Sequence, residues 1–383
     1  MPMSSERDAI PQEEEFRLVP KRRQQKVTDP PAGQEAGPPI EPLGLRQPEP
    51  PGVPQELSPG TTEPTLAAVD TDVRPVVVDA GKADDERGQE RDAAFPEPLT
   101  YDDPKLSSEP RGLPNLSTPV PDTILDGAAL AGLTIRGASI RGDDHRFYAQ
   151  PRQDSMGIWE LRTGDAEKAG AVLVCVADGV GSQPHSQLGS AAACQILSDL
   201  LRTEYPTVLD PSFAPRVPGY AEGLVSRLSD RLTTLAAEWR QEPKSVSTTL
   251  VAALIEAEPA DPAHRRCLLF KVGDSPALLL RQGGFEHCFT GPVDEVIAST
   301  ATHALPARFP QVETMELRLG ADDILVLCSD GLSGPMHNRA VTAQLVAFWG
   351  NGQIPSLPEF CWQLAFRAKS YGDDRTAVCV WGR

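Results

Sequence analysis

Tryptophan and cysteine are missing from the first 125 residues of this 383-residue chain, although the whole contains five of the first and seven of the second. The same stretch holds 22 of the 38 prolines, and its 13 basic residues face 24 acidic ones, so −11 of the net charge of −18 lies there. A segment so poor in apolar residues and so one-signed in charge does not recover the entropy lost on ordering. Residues 1–125 are therefore expected to form a disordered, Pro-rich acidic arm. Residues 126–383 are expected to form one folded domain with a substantial core. No run of 18 apolar residues occurs, so no membrane-spanning helix is expected, and nothing resembles a secretory leader. A cytoplasmic location is the expectation. Such acidity also disfavours nucleic acid as a partner, because phosphates need cationic neutralisation. The one short basic island, "KRRQQK" from Lys21 to Lys26, reads as a linker patch.

Histidine is scarce too. The six are scattered, with no H-E-x-x-H and no paired Cys motif, which argues against zinc. Cys175, Cys328 and Cys379 sit inside apolar runs and read as small buried hydrophobes in a reducing compartment. There is no short-period internal repeat.

What is present after residue 126 is a succession of apolar strands and amphipathic helices. Strands are predicted over 133–142, 154–161 and 169–179. Helices follow over 186–204 and 220–239, the second aligning Leu224, Leu228, Leu232 and Leu235 on one face. Further strands are predicted in "STTLVAALIEA", "RRCLLFKVGDS" and "PALLLRQGG", the last two as hairpin partners. Two more flank the turn Gly320–Asp323. Helices at about 338–349 and 357–370 precede a final strand, "RTAVCVWG". Strands in runs with two helices in each half argue for layered sheets covered by helices rather than strict βαβ alternation.

Acids recur where these strands stop or start. Asp178 ends "VLVCVA", Asp274 follows "LLFKVG", and Asp330 follows "ILVLCS"; Asp154 and Asp373 stand at strand beginnings. Antiparallel neighbours bring ends and beginnings to one edge. Five carboxylates gathered there repel unless cations lie between them. Oxygen donors without His or Cys suit magnesium or manganese. Gly179, Gly181, Gly273 and Gly331 beside these acids are expected to permit close backbone approach, although each Asp-Gly pair is also an ordinary turn signal.

Six blocks in order, "GASIRGDDHRFYAQPRQDS", "VADGVGSQPHSQLGSAAA", "STTLVAAL", "FKVGDSPALLLR", "LVLCSDGL" and "GDDRTAVCV", closely resemble the metal-dependent serine/threonine protein phosphatases of type 2C in their bacterial form. The resemblance covers roughly residues 136–383. It implies an α+β fold: a four-layer α-β-β-α sandwich, two antiparallel sheets flanked by helix pairs. It also implies two Mn2+ or Mg2+ ions, with a third, weaker one. Matched by motif, Asp154, Asp178 (bridging), the Gly179 carbonyl, Asp330 and Asp373 would surround the ions, Asp373 rather than Asp374 being the ligand. Asp274 would help Asp330 with the third. The implied activity is direct hydrolysis of phosphoserine or phosphothreonine in proteins by a water activated between two ions. The implied partners are a phosphorylated protein substrate and a cognate kinase.

The first block departs from the family pattern. Ala149 stands where an Arg usually binds substrate phosphate, and Gln153 replaces the Glu before Asp154. Arg152, Arg146 and His145 are the candidates to replace that Arg. His145 either serves the reaction as leaving-group acid or only hydrogen-bonds within its loop. Ser182 and Ser186 either touch substrate or cap the helix after them. Residues 287–312, with Thr290, Asp294, Glu295 and His303, match a variable flap. Because the acids matched by motif are all present, catalysis is expected. The alternatives are a non-catalytic pseudophosphatase that holds a phosphoprotein or kinase, and a hydrolase of a small phosphorylated metabolite.

Overall fold

Alternation of apolar side chains along each strand sorts the protein into layers. In the computed structural model of the chain the described residues are 97–383, apart from 105, 107, 163–169, 260, 262, 290–302, 307–310 and 383. The chain divides between Asp84 and Asp85, and only the second unit contains described residues. The expected disorder before residue 97, the basic island, and Thr290, Asp294 and Glu295 of the expected flap lie outside the described residues.

Strands β1 (Thr100–Tyr101), β2 (Thr123–Leu130) and β3 (Leu133–Ile140) lead into a short helix α1 (Asp143–Phe147), then β4 (Ser155–Leu161) and β5 (Ala171–Ala177). Helices α2 (Ser186–Leu209) and α3 (Val217–Glu238) follow, then β6 (Leu250–Glu256), β7 (His264–Val272), β8 (Ala277–Arg281), β9 (Gly284–His287), β10 (Glu313–Gly320) and β11 (Ile324–Cys328). Helices α4 (Asp330–Ser333), α5 (Arg339–Trp349) and α6 (Leu357–Leu364) precede β12 (Arg367–Ala368) and β13 (Arg375–Trp381).

Two antiparallel sheets result, ordered β10-β7-β6-β5-β4 and β2-β3-β13-β11-β8-β9. In β5, Val172, Val174 and Val176 point between the sheets and meet Leu325, Leu327, Val378 and Val380 of the other. The intervening Leu173, Cys175 and Ala177 face Leu197, Leu201, Leu224, Leu228 and Leu232 of α2 and α3. On the far side, Val341, Leu345 and Trp349 of α5 and Phe360 and Leu364 of α6 cover the second sheet. The four-layer α-β-β-α sandwich is the architecture the resemblance implies. Each fully buried Leu or Val contributes about 1.5–3 kcal/mol. Cys175, Cys328 and Cys379 are free and buried, as their apolar settings require. No helix among the described residues is long and apolar enough to cross a membrane.

Three expectations need correction. First, β7 and β8 are not hairpin partners. β7 pairs with β6 and β10, whereas β8 pairs with β11 and β9, so the chain changes sheets at Gly273–Pro276. Second, the last helix stops at Leu364, because Arg367 and Ala368 pair with β1 in a small parallel ladder.

Third, the boundary at 125/126 falls inside β2. The segment before it is folded onto the domain: Arg367 N donates to Leu99 O (2.7 Å) and Arg111 N to Arg146 O (3.2 Å). Tyr101 meets Phe366 edge-on, the Arg111 guanidinium lies 3.7 Å from the Phe147 ring centre, and Asp122 pairs with Arg141 and Arg146. This strap has too few apolar residues for a core of its own, but it adds to one that exists. A chain truncated to begin at residue 97 should keep the thermal midpoint of this domain. One beginning at 126 should lose at least about 3 kcal/mol, since it breaks buried contacts and an ion-pair network together. Thermal denaturation of both truncations checks this, and equal midpoints would return the boundary to 126.

Candidate metal centre

Register does the first work. β4 and β5 pair Ser155 with Ala177, so Asp154 and Asp178, one residue beyond on each strand, meet at the edge of the first sheet. β11 and β13 pair Cys328 with Ala377, which brings Asp330 and Asp373 to the same end of the second. The paired Thr of "STT" hold Asp178 by its backbone. Its N–H donates to Thr249 Oγ1 (3.1 Å), and its carbonyl accepts from Thr249 N (2.8 Å) and Thr248 Oγ1 (2.9 Å). Thr249 in turn shares a hydrogen bond with Ser275 (2.7 Å), which ties the Asp274 loop to Asp178.

Asp374 is the residue that sequence reasoning passed over. It is 1% exposed, and both its oxygens are occupied by the protein. One accepts from Gly142 N (2.8 Å) and meets His145 Nδ1 (2.8 Å). The other accepts from Gln153 N (2.5 Å) and Asp154 N (3.4 Å). The motif match set it aside as a ligand in favour of Asp373 and gave no sign of this scaffold role. Among the described residues, His145, Asp373 and Asp374 bring donor atoms within 4.8 Å of one another. Asp374's oxygens are already spent on N–H groups, so this trio is an ion-pair hub rather than a cation cage.

Asp154 contrasts with it. It is buried, and its Oδ2 has no hydrogen-bond partner. Burial, then the nearby Asp374, pushes its carboxyl far above the usual range, against the pull of the Thr376 and Ser329 hydroxyls. Burial raises Asp178 likewise, followed by the nearby Asp154, Asp330 and Asp373, and burial raises Asp330 too. Asp373, though its side chain is 58% exposed, is pushed up to about 6 by the surrounding protein and by Asp374, with His145 pulling the other way. These acids cannot all ionise side by side. An orphaned buried oxygen among oxygen donors is the setting that a hard divalent cation fits.

The remaining predicted residues separate. Asp274 is exposed at the same end and adds to the field that raises Asp330. Gly179 bridges to Thr248. His145 is buried, and its Nε2 lies 3.8 Å from Asp373 Oδ1. The Asp374 hydrogen bond and charge outweigh the burial that would discharge it, and push it up to about 9.

Arg152 is a correction. It is 3% exposed and donates to Ser139 Oγ (2.6 Å), to the Asp154 carbonyl and to Pro121 O (3.3 Å). Its guanidinium therefore braces the Asp154 backbone from the protein interior instead of standing open to a substrate. Arg146 is not free either: Nε and Nη2 grip Asp122 at 3.0 and 2.5 Å. Ser182 is exposed and only accepts from Gln183 Nε2 (3.3 Å). It does not cap α2, whose N-terminus has no side-chain cap. His303 is exposed, and the described end of the expected flap returns through Leu305, which pairs with Thr248.

Residues 141–353, more than half of the chain, match the family model for protein phosphatase 2C, and the chain belongs to that family. The serine/threonine protein phosphatase PstP of Mycobacterium tuberculosis, found in two strains, is 27% identical over 250 residues, which cover 58% of this chain and 43% of that protein. The chain thus spans less than half the length of these curated relatives. Among solved structures, the phosphatase Stp1 of Staphylococcus aureus is 18% identical, with a TM-score of 0.48 over 67% of this chain and 97% of its own. The catalytic domain of PstP in complex with two manganese ions is 22% identical, with a TM-score of 0.42 over 65% and 97%.

The glycines beside the acids are not equivalent. A Cβ on Gly179 would lie 2.6 Å from Gln153 O, and one on Gly331 would lie 1.8 Å from Asp374 O. Near Gly181 the closest atom is Gln153 Oε1 at 3.7 Å. Gly179→Ala and Gly331→Ala should each cost more than about 2 kcal/mol, whereas Gly181→Ala should stay within about 0.5 kcal/mol. Urea denaturation reads the difference, and equal losses at 179 and 181 would contradict this packing.

Proposed function

We propose that this chain hydrolyses phosphoserine and phosphothreonine in proteins, with Asp154, Asp178, the Gly179 carbonyl, Asp330 and Asp373 holding two manganese or magnesium ions. Asp274 would join Asp330 at a third. The observation that carries the reading is the crowding of raised carboxyls around the orphaned Asp154 Oδ2, in a chain of the protein phosphatase 2C family. When bound, the ions supply Lewis acidity: they ease deprotonation of a coordinated water and screen phosphoryl charge.

The protein's own residues do the rest. Arg152, Thr248 and Thr249 fix the backbones of Asp154 and Asp178, so these ligands need little reorganisation. His145 holds a proton at neutral pH because Asp374 accepts from its Nδ1. Its Nε2 is turned towards Asp373, and from there it would give that proton to the departing serine or threonine oxygen. A cognate kinase as partner and a cytoplasmic site of action complete the reading. A pure scaffold would have no use for acids kept in so unfavourable a setting.

Two measurements test this. Carboxyls whose folded values lie above the ordinary 3.8 stabilise most at low pH, and that contribution is lost as pH rises through the folded value, about 6 for Asp373. His145 adds stability below its ordinary 6.5, lost as pH rises through about 9. Chelator-treated protein should therefore melt at progressively lower temperature from pH 5.5 to 9. Manganese should raise the midpoint at pH 7.5 by several degrees, as about 2–3 kcal/mol of linkage implies. No shift with manganese would remove the metal from the proposal.

The second is turnover of a phosphothreonine peptide, expected with manganese and absent with chelator. Asp178→Asn should reduce it at least ~100-fold, because even the outer partners of metal ligands are worth 10–100-fold. Full activity in that variant would refute the assignment.

A further inference from the structure

The family's phosphate-binding Arg is absent here, since Ala149 occupies its place. Two other arginines meet beside the acids. A cavity of about 750 Å³ is lined by Asp373 of the acidic edge and by Arg141, Arg146, Asp122, Leu113 and Tyr371. Within it one carboxylate serves two guanidiniums. Asp122 Oδ2 accepts from Arg141 Nε (2.9 Å) and Arg146 Nε (3.0 Å), and Oδ1 accepts from Arg146 Nη2 (2.5 Å). Two parallel N–H donors of one guanidinium on two oxygens is the geometry that carboxylate and phosphoryl groups share.

Charge and access distinguish the two ligands. Asp143 and Asp373 also line the cavity, but in direct contact a single carboxylate meets both guanidiniums, while a phosphoryl dianion carries a charge for each. Arg146 has a further carboxylate at 3.7 Å, Asp143, but that group is held more closely by Arg367 at 2.9 Å. The Asp122 side chain is 37% exposed and covers Arg141 and Arg146, which are 5% and 17% exposed. Its backbone is anchored separately: Arg141 N donates to Asp122 O (2.8 Å), and Thr123 pairs with Ile140 in the β2–β3 ladder. Rotation about its own Cα–Cβ bond therefore removes the carboxylate without movement of the strand, at the cost of the three guanidinium contacts and the Thr123 hydroxyl's hydrogen bond (3.0 Å).

We propose that Arg141 and Arg146 form an oxyanion subsite for a phosphoryl dianion, and that Asp122 of the N-terminal strap closes it as a built-in stand-in for that anion. The identity of the anion as the substrate's phosphoryl group, or the phosphate released from it, rests on the phosphatase reading above. The subsite itself does not. Asp122 is thus a competitor that substrate displaces, which couples the strap before residue 126 to occupancy of the site.

The test uses the full chain loaded with manganese and inorganic phosphate as the probe, with binding read by calorimetry rather than by turnover. Asp122→Asn should tighten phosphate binding about tenfold, the worth of one charge-assisted contact. Arg146→Gln should weaken it and abolish the gain when combined with D122N. A folded D122N that binds phosphate no more tightly, or a gain that persists in the double variant, would overturn the proposal. Should D122N not fold, R146Q alone decides: weakened binding supports the subsite and unchanged binding overturns it. With a phosphothreonine peptide, D122N should also lower KM. Absence of hydrolysis in every variant, with the D122N gain in phosphate binding intact, would remove the phosphatase reading and leave the subsite standing.

Discussion

Negative charge withdrawn from water at one end of the sandwich is the constraint on which the rest turns. The fold treats its acids in two ways. Asp374 is more deeply buried than any acid around it, yet three backbone N–H groups and an imidazole surround its oxygens. It needs nothing from outside. Asp154, just before β4 of the other sheet but adjacent in space, is left with an unpartnered oxygen. A buried carboxylate oxygen without a donor is costly, and one beside other carboxylates is costlier. The contrast separates an acid that the protein satisfies from one that it leaves open to an outside partner.

Both sheets contribute to this edge, and a buried polar chain fastens them. Arg152 donates to Ser139 on β3, Ser139 shares a hydrogen bond with Thr376 on β13 (2.6 Å), and Thr376 N donates to Ser329 beside β11 (3.1 Å). The change of sheet between β7 and β8 is held by the Thr249–Ser275 contact. Such networks stabilise only when every member is satisfied, and here every link ends on a residue that borders the acids. The hydroxyls in "STT", "GDS" and "LCSDG" thus position carboxylates rather than substrate.

Much of this was legible in the sequence, for identifiable reasons. Strands such as "VLVCVA" and "AVCV" are apolar on both faces because helices cover one side and a second sheet the other, and their acidic ends are conspicuous against that background. Strand order was not legible. "RRCLLFKV" and "ALLLR" are close in sequence and separated by a turn-like "GDSP", which is what a hairpin also shows; the choice between sheets depends on partners far along the chain. The place of Arg152 was not legible because an Arg beside a strand-start acid looks the same whether it faces cavity or core. The strap was misread because window composition measures whether a segment can fold alone. Leu99 and Tyr101 need only reach Phe366 and its neighbours.

That strap changes how the arginines beside the site should be weighed. A partly exposed ion pair adds little to stability, and Asp122 is already fixed through its main chain and through Thr123, whose hydroxyl donates to it (3.0 Å). The three guanidinium contacts are therefore more than anchorage needs. Their effect is to hold Arg141 and Arg146 in one fixed orientation, which spares an incoming anion the cost of ordering two long side chains. Preorganisation and competition come from the same carboxylate: Asp122 builds the cradle it also fills. In the proposed exchange, an anion with a second negative charge has the advantage over it at the two guanidiniums, and a neutral or singly charged group has none. The contact thus discriminates by charge before any chemistry begins.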